Sequence, residues 1–109
     1  MNKPIPPIVE KIVNIIVAEV QPEKIILFGS YARGDYNEHS DIDLLVMKKN
    51  LENNRDLSHR IRRTLFPYNL NISTDILSID YDKYYEVCDD LGYVYRTIKQ
   101  EGKIVYESI

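Results

Sequence analysis

Two aspartates, Asp41 and Asp43, open the run Leu44-Leu45-Val46-Met47. An apolar run of that length between polar turns reads as a buried strand, yet this one begins with charges that burial opposes. In a strand, residues two apart share a face, with Cα atoms roughly 6.6 Å apart. Asp41 and Asp43 therefore aim into one space. At ~4 Å and an effective dielectric of about 20, two such charges repel by roughly 4 kcal/mol. A cation or a proton between them removes that cost. A hard divalent ion is the natural counter-charge, since Mg²⁺ takes carboxylate oxygens at about 2.0–2.1 Å and keeps phosphate or water ligands.

The rest of the chain supplies elements to hold that strand. Ile8, Ile12, Val13, Ile16, Val17 and Val20 recur at helical steps, predicting an amphipathic helix from Ile8 to Val20 that Gln21-Pro22 ends. Lys24-Ile25-Ile26-Leu27-Phe28 reads as a buried strand closed by Gly29-Ser30, and residues 31–40 as a polar, turn-rich loop. Leu57, Ile61 and Leu65 mark one face of a helix from about Asn54 to Phe66, stopped by Pro67. Leu70 to Ile79 reads as a third strand. Asp80 is the expected N-cap of a helix from Tyr81 to about Val87. A last helix, from about Asp89 to Gln100, is expected to turn Leu91, Val94, Tyr95 and Ile98 inward, with Gly102 as its C′ residue. Lys103-Ile104-Val105-Tyr106 reads as a short edge strand. The order predicts one α/β (α+β) domain over residues 1–109, a small mixed sheet of three to four strands covered by helices.

Two further features bear on the carboxylate pair. Asp75, between Thr74 and Ile76 in the third strand, is disfavoured there by propensity. If that strand lies beside the second, Asp75 joins the pair from the side; on its own it could equally cap a neighbouring backbone or face solvent. Gly29 lacks a Cβ, so a phosphate can approach the backbone, and Ser30 adds a hydroxyl at the start of a helical turn. A Gly-Ser pair is first of all a turn signal. Its spacing sharpens it, because ten residues separate Ser30 from Asp41-x-Asp43.

The pattern G-S-x10-D-x-D, standing here as GSYARGDYNEHSDIDLLV, resembles the signature of the nucleotidyltransferase superfamily of polymerase-β-like enzymes. The chain is similar to the minimal nucleotidyltransferase (MNT) group, the antitoxin half of the HEPN/MNT toxin–antitoxin modules of bacteria and archaea. The likeness is strongest over residues 25–47 and extends more loosely to Asp75 and the ending TIKQEGKIVYE. It implies a nucleotidyltransferase fold, with Gly29 and Ser30 on the triphosphate of ATP and Arg33 a further nucleotide-binding candidate. It also implies Asp41 and Asp43 as ligands of two Mg²⁺ ions, and Asp75 completing one site and helping to activate the incoming hydroxyl. The implied reaction is transfer of AMP from ATP, with release of pyrophosphate, to a tyrosine of a HEPN ribonuclease toxin, in a hetero-oligomer. The alternatives are an antitoxin that neutralises its partner by binding alone, and a nucleotidyltransferase of small molecules or RNA.

Composition narrows these options. Fourteen Lys+Arg against seventeen Asp+Glu leave a net charge of −3, without the basic footprint of a stable nucleic-acid binder. A chain of 109 residues leaves little room for a separate template or substrate domain. The apolar runs are too short to span a bilayer, no signal peptide is visible, and one cysteine, Cys88, reads as a small buried apolar residue, so the expected setting is cytoplasmic. Ser40 reads as a turn cap, and His39 and His59 have no catalytic partners in the pattern. Arg55, Arg60, Arg62 and Arg63 read as the wet face of a helix or, alternatively, a docking surface. Arg33 suits either a phosphate contact or a structural pair.

Overall fold

The central strands carry apolar side chains at consecutive positions, so they bury both faces and need helices on both sides. The computed structural model describes residues 2–89 and 92–108. Four strands, β1 (Lys24–Phe28), β2 (Ile42–Lys48), β3 (Thr74–Asp80) and β4 (Lys103–Glu107), form one sheet in the order β3-β2-β1-β4. β2 runs antiparallel to β1 and parallel to β3, and β4 is antiparallel to β1, so the sheet is mixed. The helices are α1 (Pro7–Val20), the single turn α2 (Ser30–Arg33), α3 (Asn54–Leu65), α4 (Tyr81–Val87) and α5 (Tyr93–Glu101).

The pleat divides the core in two. On one face Ile25, Leu27, Ile42, Leu44, Val46 and Ile76 meet the apolar stripes of α1 and α3, including Ile12, Ile16, Leu57 and Ile61. On the other, Ile26, Leu45, Met47 and Ile79 meet Tyr84 and Cys88 near α4 and Ile98 of α5. Asp43 and Asp75 occupy this second face by the same alternation. At that end of the strands the next positions inward are Leu45, fully buried in the core, and Leu77, partly buried against it.

Local chemistry sets the boundaries. The Asn53 side chain accepts from the amides of Arg55 and Asp56 and caps α3. Asp80 caps α4 by accepting from the Lys83 amide, as expected, and also accepts from the Leu51 amide, tying the loop after β2 to the end of β3. Lys24, buried at the start of β1, donates to the Tyr85 hydroxyl (2.6 Å) and pairs with Glu107 (2.9 Å). Burial works against its charge, but these partners outweigh it and raise its pKa.

Several expectations shift. The third strand starts at Thr74 rather than Leu70, and Leu70 and Ile72 pack against the core from the preceding loop instead. Pro67 does not simply stop α3 but continues it into a 3-10 turn over Phe66–Tyr68. α5 begins at Tyr93, after Gly92 with φ +88°, so Asp89 precedes it; Leu91 lies outside the described residues. Val94 faces solvent rather than inward, whereas Ile98 is buried as predicted. Gly102 ends α5 in an extended conformation, not a left-handed one; a Cβ there would strike the Ile98 carbonyl and the Ile26 side chain. Val9, outside the expected stripe of α1, is buried while Ile8 and Val17 are only partly so. No helix among the described residues is long and apolar enough to cross a membrane.

One buried polar contact links α3 to β3: the Ser58 and Ser78 hydroxyls lie 2.8 Å apart. Removing either leaves the other without its partner in the core, at a cost of about 1–3 kcal/mol. Ser58→Ala and Ser78→Ala are each expected to destabilise by that amount in urea unfolding, and the double variant by clearly less than their sum.

Candidate active site

The site is built where β1 ends, β2 begins and β3 begins. Parallel register sets Asp43 opposite Asp75, and antiparallel register sets Phe28 opposite Asp43 on the other side. Asp43 is thus flanked by an aromatic residue and a second carboxylate, and is half-buried, while Asp75 and Asp41 are exposed. Asp41 lies one residue before β2, so the carboxylate pair straddles the strand's first residue instead of lying wholly within it.

Gly29 caps the turn that follows β1. Its φ of +74° favours glycine, and a Cβ at this position would overlap the Asp43 carboxylate. The glycine therefore serves two ends, letting the chain reverse into α2 and letting that turn close onto Asp43. The amides of Ala32 and Arg33 bond the Gly29 carbonyl, and those of Gly34 and Asp35 bond the Ser30 carbonyl. Ser30 and Tyr31 sit at the opening of the turn, where the amides have no partner within it.

The loop from α2 to β2 is held by its own polar groups. Tyr31 and Tyr36 stack with ring centroids 4.1 Å apart, and the Tyr36 hydroxyl donates to the Pro4 carbonyl. Burial, then Tyr36 and Asp41, raise the pKa of Tyr31. Ser40 Oγ accepts from the Asn37 amide (2.9 Å), the turn-capping role its position suggested. Arg33 reaches both Asp35 (3.2 Å) and Glu101 (3.1 Å), joining α2 to the end of α5. His39 lies beside Glu38 and is exposed. Sequence reasoning missed Phe28 as the neighbour of Asp43 and Glu101 as a partner of Arg33. The first becomes visible only with the antiparallel register, and no local pattern signals the second.

Burial, followed by the charges of Asp75 and Asp41, pushes Asp43 up to about 6, while Arg33 pulls the other way. Gly29, Asp41, Asp43 and Asp75 are therefore one electrostatic neighbourhood, with Arg33 within reach. Among the described residues no three Asp, Glu, His or Cys side chains are gathered into a finished metal-binding group. The donor set is nevertheless of the right kind for magnesium: oxygen ligands only, with excess negative charge that no neighbouring cation fully offsets at Asp43.

The polymerase beta, nucleotidyltransferase family model matches residues 10–108. The chain belongs to this nucleotidyltransferase family. Two proteins of Methanocaldococcus jannaschii, each provisionally named a protein adenylyltransferase, are similar to parts of it. One is 50% identical over 54 residues, 45% of this chain and 37% of its own length; the other is 39% identical over 61 residues, 56% and 61%. The matched part thus spans less than two thirds of either relative. Solved structures share the fold of this nucleotidyltransferase. A provisionally named nucleotidyltransferase from Sulfolobus solfataricus has a TM-score of 0.63 at 22% identity, covering 93% of this chain and 78% of that one. A mutant of the toxin–antitoxin MntA-HpeT gives 0.65 at 19% identity (91% and 73% covered). A toxin–antitoxin with AMP-PNP gives 0.61 at 21% identity (91% and 73% covered).

The strain at Asp43 predicts a pH signature. Its folded pKa of about 6 exceeds the ordinary 3.8, so folding binds a proton there. The associated stability is fully present below pH 3.8 and is lost as pH rises through about 6. Asp43→Asn, which keeps the shape without the charge, is therefore expected to stabilise the metal-free nucleotidyltransferase at pH 7.5. Discounted for solvent screening, the gain is on the order of 1 kcal/mol, or about 4 °C in Tm. It should vanish at pH 4, and calorimetry in EDTA at both pH values checks it.

Proposed function

We propose that this nucleotidyltransferase is a cytoplasmic antitoxin of the HEPN/MNT type that transfers AMP from ATP to a tyrosine hydroxyl of its HEPN ribonuclease toxin. The observation that carries the reading is the closure of the Gly29 turn onto Asp43, with Asp75 beside it in register. A phosphate-accepting turn and a carboxylate site for a cation are thereby adjacent. The named activity of the M. jannaschii relatives supports protein as the acceptor class. The toxin–antitoxin neighbours, one with AMP-PNP, support a toxin partner and a nucleotide substrate.

In this reading the Gly29-Ser30 turn holds the triphosphate, and Arg33 exchanges an exposed carboxylate partner for a phosphate oxygen. Asp41, Asp43 and Asp75 would hold two Mg²⁺ ions, which would supply the positive charge that offsets phosphate against the carboxylates. Asp75, exposed at the start of β3, takes part in activating the acceptor hydroxyl. The tyrosine oxygen forms a bond to the α-phosphorus as the bond to the bridging oxygen breaks. Pyrophosphate leaves, and the hydroxyl proton passes to the carboxylate side of the site.

Asp41→Ala and Asp43→Ala are each expected to lower AMP transfer by at least ~10²–10³-fold, with circular dichroism unchanged. Labelled ATP and the co-expressed partner measure this, and mass spectrometry places AMP-sized increments on a partner tyrosine. Full activity in both variants would sink the catalytic assignment. An unmodified yet silenced partner points to neutralisation by binding alone.

A further inference from the structure

The two edges of the sheet are treated differently. β4 is guarded: its pairing with β1 is interrupted at Ile25/Ile26, and Lys103 and Glu107 stand at its ends. β3 is seven residues long, contains no proline or lysine, and pairs with no strand on its outer side among the described residues. The Ile42 amide bonds the Ser73 carbonyl, so Ser73, Asp75, Leu77 and Ile79 direct their backbone groups toward β2. Thr74, Ile76 and Ser78 point theirs outward. The one described contact to that row is the Arg62 guanidinium, 3.3 Å from the Ile76 carbonyl.

A trough follows this edge. Its upper part, about 380 Å³, has Ile76–Ser78 as floor, Arg55, His59 and Arg62 of α3 on one wall and Tyr95 of α5 on the other. Its lower part, about 260 Å³, shares Arg62 and is apolar, lined by Leu65, Phe66, Leu70 and Ile72 as far as Thr74. Phe66 is 83% exposed, an aromatic ring left in water beside an unpaired strand. Arg55 and Arg62 form no ion pair among the described residues. Asp75 lies on this strand between Thr74, which lines the lower part, and Ile76, which lines the upper.

We propose that the acceptor protein docks by adding an extended, acidic segment to the outer edge of β3. Its backbone pairs with Thr74, Ile76 and Ser78, its carboxylates face Arg55 and Arg62, and an apolar residue covers Phe66. The segment thereby passes Asp75 and carries its hydroxyl to the site. This rests on the protein-adenylylation reading and supplies the recognition surface that reading requires. A peptide fits better than RNA, because unpaired strand amides and carbonyls are satisfied by another strand.

The test uses a random Glu–Tyr copolymer as probe. On adding it to the full chain, amide hydrogen exchange at Thr74, Ile76 and Ser78 is expected to slow at least tenfold, with the β4 edge unchanged. Replacing both arginines, Arg55→Glu with Arg62→Glu, should raise the half-saturating copolymer concentration tenfold or more, whereas the double change to Lys keeps most of the binding. Exchange in the copolymer-free variants confirms that they fold. Edge protection without AMP incorporation upholds the docking and counts against adenylyl transfer. AMP transfer with unprotected edge amides and no response to the Glu pair overturns the docking alone. Protection by an oligouridine and not by the copolymer also overturns it, as does no protection at all.

Discussion

The register of β2 against β3 is the constraint on which this molecule turns. Once Asp43 lies opposite Asp75, a half-buried carboxylate faces another negative charge within an otherwise apolar sheet. That arrangement survives only because the strands around it are anchored on both faces. Ile42 and Leu44 sink into the α1/α3 core while Leu45 and Met47 sink into the α4/α5 core. A one-residue slip would carry Asp43 into the first core and Ile42 out of it. Packing of the apolar neighbours therefore fixes where the charges stand, and the charges are tolerated because they lie at the open end of the sheet.

Gly29 brings a second element against that placement. The turn after β1 could close in several ways, but its positive φ and missing Cβ let it lie directly against Asp43. The same glycine is thus required by backbone geometry and by approach, and either alone would leave the turn and the carboxylate apart. Arg33, held between Asp35 and Glu101, sits in α2 at the rim of this contact and partly offsets the local negative charge.

Much of this was legible because it is local. The strand after Asp41, the stripe of α3 at Leu57, Ile61 and Leu65, and the Asp80 cap are each written within a few residues. The Gly-Ser turn and the aspartate pair were legible for the same reason. What sequence could not supply was pairing. That Phe28 adjoins Asp43, and that α2 is tied to Glu101, depends on contacts between distant segments. The start of β3 was misplaced because Leu70 and Ile72 are apolar like strand residues, yet they pack from a loop. Val94 was misread because an apolar residue on a short helix at the rim need not face the core.

The electrostatics also order the encounter with a nucleotide under the proposed activity. A bare triphosphate would bring several negative charges to a place where the charge of Asp43 is already disfavoured by burial and by the charges of Asp75 and Asp41. Arg33 alone cannot offset them, because its charge is shared with Asp35 and Glu101. The Gly29-Ser30 turn can contribute only amides and a hydroxyl, which orient phosphate oxygens without neutralising them. Under that activity these residues would receive the nucleotide favourably only when it arrives with its own counter-charge, as a magnesium complex would. The carboxylates then act for binding instead of against it. Under that activity, the burial and repulsion that destabilise the metal-free fold at Asp43 would also favour the metal-bound form of the nucleotide.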